Sequence, residues 1–232
     1  MKIGILTSGG DCQALNATMA SLAKTLYRQD KDIELIGFFK GYRGLMYGDY
    51  KKMSPTDFED ILNVGGTILK TSRCPFKKMR VIEDGFDKVE AMKKTYKKLK
   101  LDGLVVLGGN GSLKSANMLS QEGLNVIGLP KTIDNDTWGT DYTFGFQSAV
   151  DIATHYLDEI QTTAKSHDRV FVVEIIFKNY LFVTAPYSPN EIPINLAFLT
   201  TSPAGSTYFN FPAVSCKGIA FTSVLSSIIN FP

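Results

Sequence analysis

The segment Pro130-Lys131-Thr132-Ile133-Asp134-Asn135-Asp136 sets two carboxylates two residues apart, directly after a lysine and a threonine. In such a pair, one carboxylate can take a proton from a hydroxyl while its neighbour handles a metal ion or orients the first. Asn and Asp also favour tight turns, so the same residues fit a plain turn. The apolar run Leu124 to Leu129 just before them predicts a buried strand. That puts the acidic pair at a strand's carboxyl end, where ligands bind in open α/β sheets.

Glycine-rich turns have the same placement. Thr7-Ser8-Gly9-Gly10-Asp11 follows a short apolar strand, Lys2 to Thr7, and precedes a helix. Gly108-Gly109-Asn110-Gly111-Ser112 follows the apolar run Gly103 to Leu107 and precedes another helix. Glycines let backbone N–H groups approach an anion, and a helix N-terminus adds a favourable dipole. Taken singly, either pair of glycines also fits a simple tight turn. Neither turn is a dinucleotide fingerprint or a P-loop, which argues against a nicotinamide-dependent dehydrogenase. A third turn, Gly65-Gly66-Thr67, leads to Thr71-Ser72-Arg73. An arginine there can clamp a transferring phosphoryl group. Together these turns suit a polyphosphate running along the strand tips.

The elements that must position these turns alternate along the chain. After the first strand, Leu15, Met19, Leu22 and Leu26 share one helical face. Ile33 to Phe38 predicts a second strand, followed by a loop containing Gly and Tyr. A short helix is expected from Ser54 to Leu62, with Ser54 as cap and Pro55 at its first position. Phe86, Val89, Met92, Tyr96 and Leu99 mark an amphipathic helix whose polar face is almost entirely lysine, a solvated surface. Ser112 to Gln121 predicts a helix, and Phe146, Val150, Ala153, Leu157 and Ile160 a long one. Val170 to Ile175 predicts a further strand. This order argues for an α/β fold, a parallel sheet covered on both faces.

At 232 residues the chain can form one large or two modest domains. With 21% charged residues and a net charge of +2, it carries no argument for a nucleic-acid or membrane partner. Three scattered cysteines, Cys12, Cys74 and Cys216, argue for a reducing compartment. No signal peptide or membrane-length apolar run is evident, so a cytoplasmic location is expected. Of the 48 charged residues, only Glu191 and Lys217 lie beyond Lys178. We therefore expect a domain at 1–178 and a low-charge tail of unknown structure at 179–232. Among single residues, Cys12 lies at a helix N-terminus, which should lower its thiol pKa. His155 and His167 read as structural, and Trp138 as a packing or loop anchor.

Taken together, the Thr7 to Asp11 opening, Gly41-Tyr42-Arg43-Gly44-Leu45, Gly65-Gly66-Thr67, Gly108 to Ser112, Pro130 to Asp136 and Ser166-His167-Asp168-Arg169 resemble the phosphofructokinase family in order and spacing. The resemblance covers roughly residues 1 to 175. It implies a three-layer sandwich with a mainly parallel sheet. It also implies glycolytic transfer of a phosphoryl group to the 1-hydroxyl of fructose 6-phosphate, with magnesium. By the resemblance Asp134 is the general base, and Thr132, Ile133, Asp134 and Arg169 contact the sugar phosphate. Gly9, Gly10, Arg73, Cys74, Gly109, Asn110, Gly111 and Ser112 would hold the phosphoryl donor, and Asn110 and Asp136 the magnesium. The family members form homo-oligomers, which is the expectation for an intact chain.

Three departures stand out. Asn110 replaces an acidic magnesium ligand, shifting metal binding toward Asp136, Asp11 and the donor phosphates. Gly111 leaves room for a nucleotide, as in ATP-using members, whereas Lys131 resembles the pyrophosphate-using ones. The reading favours ATP, with pyrophosphate as the alternative. Finally, Ile176, Phe177 and Lys178 stand where the family has Met-Gly-Arg, and the tail reads as unrelated sequence, such as a frameshifted or truncated reading frame. The second domain would then be absent or replaced. That leaves a further alternative: an inactive fragment that only binds nucleotide or pyrophosphate.

Overall fold

The computed structural model describes residues 1–167 and, as strands, 173–177, 180–184 and 197–200. The order is β1 (Lys2–Ser8), α1 (Ala14–Gln29), β2 (Glu34–Phe38), α2 (Tyr42–Tyr47) and β3 (Tyr50–Met53). Then come α3 (Lys88–Leu99), β4 (Gly103–Gly108), α4 (Asn110–Gln121), β5 (Val126–Thr132), β6 (Phe144–Gly145) and α5 (Phe146–Ser166). Two 3-10 turns, Pro55–Phe58 and Phe76–Lys78, lie between β3 and α3. By compactness the chain divides into Met1–Ile152 and Ala153–Pro232.

In the first unit six strands form a mostly parallel sheet in the order β3-β2-β1-β4-β5-β6, with β3 antiparallel to β2. Side chains alternate across it, as the strand period of two requires. Ile5, Leu35, Val105 and Leu107 face one side, packed with Leu15, Met19 and Ala23 of α1. Leu6, Ile36, Phe38, Leu104 and Val106 face the other, with Leu45 of α2, Val89 and Met92 of α3, and Ala116 and Leu119 of α4. Burial on both faces explains why β1 and β4 read as continuous apolar runs. The result is the expected α/β arrangement of helix, sheet and helix layers.

The order of the strands decides where a site can form. The chain leaves β1 through α1 on one face and returns to β2; it leaves β4 through α4 on the opposite face and continues to β5. Connections therefore diverge between β1 and β4, opening a crevice at their carboxyl ends.

Several local expectations are corrected. The loop after β2 folds into α2 and the edge strand β3, whose Lys51 and Lys52 are exposed. An exposed edge suits lysines and obscures the apolar signal of a strand. The helix expected from Ser54 to Leu62 is a 3-10 turn of four residues, Pro55–Phe58, closed by a bond from Ser54 N–H to Asp57 at 2.8 Å. The strand expected at Leu124 to Leu129 runs instead from Val126 to Thr132, so Lys131 and Thr132 belong to it. It is not fully buried: Ile127 is 59% exposed. Among the described residues, β5 pairs on its outer side with the two-residue β6, through Lys131 and Thr132, and with no other strand.

In the second unit β7 (Val173–Phe177), β8 (Tyr180–Thr184) and β9 (Ala197–Thr200) form an antiparallel sheet in that order. Of the strand expected at Val170 to Ile175, residues 173–175 lie in β7, which pairs with β8 as an antiparallel hairpin, and 170–172 lie outside the described residues.

Candidate active site at the strand ends

Register aligns two of the glycine turns with the acidic segment. Ser8 of β1 pairs with Gly108 of β4, and Gly108 pairs with Pro130 of β5. Gly9-Gly10 and Gly109 to Ser112 therefore leave the sheet beside Lys131 and Thr132, the end of β5, from which Ile133 to Asp136 continue.

The first two turns pack tightly. Gly9 has φ +91°, and a Cβ placed there would lie 3.6 Å from Ser112 Oγ and 4.0 Å from Lys131 Nζ. Glycine meets that positive φ without steric cost. Ser112 is buried and its hydroxyl donates to Ser8 Oγ at 3.0 Å. Gly108 admits this contact because a Cβ there would fall 2.3 Å from that of Ser112. Helix α4 begins at Asn110 after Gly109, with no side-chain cap and no acidic residue in its first turn. Its first N–H groups therefore face the crevice as donors for an anion. Gly111 opens outward: a Cβ there would meet nothing within 4 Å.

The third turn is tied to the first. Gly9 N–H donates to Ser72 C=O at 3.1 Å, and Thr71 Oγ1 donates to Gly9 C=O at 2.7 Å. Thr7 Oγ1 donates to Lys70 C=O at 3.0 Å. The buried Asn16 of α1 clamps the preceding loop, donating to Val64 C=O at 2.8 Å and accepting from Ile68 N–H at 2.9 Å. This clamp was not foreseen from sequence, because a lone Asn inside a helical period gives no signal of burial. These bonds carry Arg73, which is exposed, to the mouth of the crevice. Cys74, beside it, is half-buried against the core cluster of Leu6, Phe38 and Tyr42. Asp11 reaches the same loop, its Oδ2 standing 3.3 Å from where a Cβ on Gly66 would be.

Lys131 is 5% exposed, and its ammonium donates to the carbonyl of Gly10. Burial holds its pKa below the ordinary lysine value; the Cys12 thiol and Asp11 oppose that shift, and Arg73 adds to it. A cation thus sits inside the loop that would surround phosphate. Cys12 departs from expectation. Burial is the largest influence on its thiol and pushes the pKa up, against lowering by the backbone of Ala14 and the Lys131 charge. Its sulfur also packs against Gly145 of β6.

The acidic turn closes the crevice. Asp134 N–H donates to Thr132 Oγ1 at 3.0 Å. Asn110 Nδ2 donates to Asp136 C=O at 3.1 Å, joining the α4 turn to the acidic pair. Ile133 is 39% exposed at this edge. The hydroxyl of the neighbouring Thr137 is buried without a partner among the described residues. No three His, Cys, Asp or Glu side chains among the described residues form a metal-binding group. Magnesium does not require one, since it commonly takes one or two carboxylates together with phosphate oxygens. Asp136 and Asn110 are of the residue types such a site uses, and the unpartnered Thr137 hydroxyl lies next to Asp136 in sequence.

Arg169 lies outside the described residues. Trp138 is 97% exposed and anchors no packing among the described residues. No described helix is long and apolar enough to cross a membrane.

Residues 2–179 match the Phosphofructokinase family. An ATP-dependent 6-phosphofructokinase of Spirochaeta thermophila is 56% identical over 177 residues, 75% of this chain and 48% of the relative. The ATP-dependent 6-phosphofructokinase of Sulfurihydrogenibium sp. is 36% identical over 245 aligned residues, 99% of this chain and 72% of the relative. A pyrophosphate–fructose 6-phosphate 1-phosphotransferase of Amycolatopsis mediterranei is 43% identical over 182 residues, 76% of this chain and 50% of the relative. Among solved structures, phosphofructokinase from Saccharomyces cerevisiae superposes with a TM-score of 0.66 at 30% identity, over 77% of this chain and 26% of that one. The chain spans about half the length of most of the curated relatives it matches. With its turns aligned on a sheet of this topology and the match running from residue 2 to 179, the chain belongs to the phosphofructokinase family.

Proposed function

We propose that the chain is a 6-phosphofructokinase: it binds ATP with magnesium and transfers a phosphoryl group to the 1-hydroxyl of fructose 6-phosphate, a step of glycolysis. The observation that carries this reading is the register Ser8–Gly108–Pro130, which aligns two anion-binding turns and an acidic pair on one sheet edge. A loose phosphoryl-transfer transition state needs positioning and charge neutralisation more than covalent chemistry. The α4 N-terminus, the Gly9 turn and Arg73 supply donors and positive charge for the polyphosphate. Asp134 accepts the proton of the attacking sugar hydroxyl, and Thr132 and Ile133 line the approach to it. Asp136 and Asn110 would hold the magnesium, which neutralises phosphate charge when bound. Arg169 would reach the sugar's 6-phosphate. The residues beyond 178 have a composition of their own, and we keep 1–178 as the catalytic domain of this proposal.

One observation favours pyrophosphate as a second donor. Lys131 stands inside the Gly9-Gly10 loop, where an ammonium can pair with a compact dianionic group. The open space beside Gly111 favours a nucleotide, whose bulk must leave the loop on that side. Gly111→Asp separates the two donors. An added carboxylate there should raise the KM for ATP about tenfold or more, through bulk and charge repulsion, and affect pyrophosphate far less. Equal losses for both donors would remove the steric argument. Donor binding without transfer would restrict the chain to holding nucleotide or pyrophosphate.

A further inference from the structure

The geometry points to Asn135 and Thr143 as positioning residues that hold the two carboxylates of the acidic turn in register. The inference rests on reading Asp134 as the base. Asn135 stands between the carboxylates at φ +48°, in the left-handed region that Asn tolerates better than most side chains. Its side chain works in both directions. Oδ1 accepts from Thr143 N–H at 2.9 Å, and Nδ2 donates to Asp141 C=O at 3.1 Å. Thr143, only 4% exposed, donates its hydroxyl to Thr132 C=O at 2.7 Å and lies 3.4 Å from Asn135 Oδ1. Thr132 Oγ1 in turn accepts from Asp134 N–H.

Residues 132 and 135 are thus each fixed by a bond of this brace, residue 134 is held one step away through Thr132 Oγ1, and Asn110 fixes residue 136 from α4. The segment from Thr137 to Tyr142 closes back on the turn as a strap. Aspartate at 135 would keep the acceptor, lose the donor to Asp141, and set a third carboxylate between two others. Glycine would keep the left-handed backbone and lose both arms. Valine at 143 would keep the amide and the shape and lose only the hydroxyl.

The test compares the full chain with Asn135→Gly, Thr143→Val and Thr143→Ser, and Thr143→Val serves where Asn135→Gly does not fold. Displacing a base by about 1 Å costs about 10²-fold in rate. We expect kcat with fructose 6-phosphate to fall by about that factor in Asn135→Gly and Thr143→Val. The KM for the phosphoryl donor stays at the parent value, and Thr143→Ser restores kcat. Parent-like kcat in both variants overturns the proposal, as does an equal loss in donor binding and rate. If the parent itself transfers nothing, the assignment of function fails, and amide hydrogen exchange decides the brace. Exchange faster by about tenfold or more at the Thr143 amide in Asn135→Gly and at the Asp134 amide in both variants, with β1 and β4 unchanged, supports it. Unchanged exchange at those amides overturns it.

Discussion

At the residue scale, Lys131 links stability to donor choice. Its ammonium is buried, and burial lowers its pKa. A lysine that is easier to deprotonate in the folded state than in the unfolded one costs stability at any pH below its folded pKa. The cost disappears as pH rises from that value toward the unfolded pKa of about 10.4. Lys131→Met should therefore stabilise the fold at neutral pH, on the order of 1 kcal/mol in denaturant unfolding. The part of that margin due to charge should be lost above about pH 10.4. The same variant should lose pyrophosphate use more than ATP use; a margin independent of pH would contradict the account. The candidate site residues were legible because glycines, an arginine and paired carboxylates announce their chemistry by type and spacing. Burial was not legible. Cys12 carries the dipole-exposed position expected of an acidic thiol, yet desolvation governs it. Asn16, Asn135 and Thr143 look like ordinary polar residues until the chain folds around them.

At the scale of elements, tertiary bonds hold the strand-end turns in place. Tyr42 of α2 is 0% exposed, and its hydroxyl donates to Ser112 C=O in the first turn of α4 at 2.7 Å. Burial pushes its phenol far above the ordinary tyrosine range, so it remains a donor wherever the protein is folded. Tyr42→Phe removes that donor and leaves the Ser112 carbonyl only its partner within α4. The expected loss is about 0.5–1.5 kcal/mol in denaturant unfolding, with weaker donor binding because α2 no longer holds α4. Unchanged donor affinity alongside the lost stability would mean that α2 supports the core and not the site. Helices α1 and α3 were legible from their period, and the Asp87 cap of α3, accepting from Val89 and Glu90 N–H at 2.9 and 3.0 Å, adds a local start signal. The edge strand β3 was hidden by Lys51 and Lys52, since half of an edge strand's surface faces water. The extension of β5 through Thr132 was hidden by Pro130 and Lys131. Proline at a sheet position with a short outer neighbour gives up no ladder bond that the sheet needs.

At the scale of the whole molecule, the α/β order specified the sheet, and the family match over residues 2–179 agrees with it. The antiparallel sheet of β7, β8 and β9 was not legible, because a strand period does not reveal its partner. The central claim is that the aligned turns after β1, β4 and β5 form a working phosphoryl-transfer site. Its most direct test is phosphorylation of fructose 6-phosphate by the purified chain with magnesium, with ATP and pyrophosphate side by side and Asp134→Asn as the control. The account predicts turnover with ATP, abolished in Asp134→Asn while donor binding persists. Asp134→Asn retaining most of the parent's turnover, or a folded chain that neither binds nor consumes either donor, would contradict it.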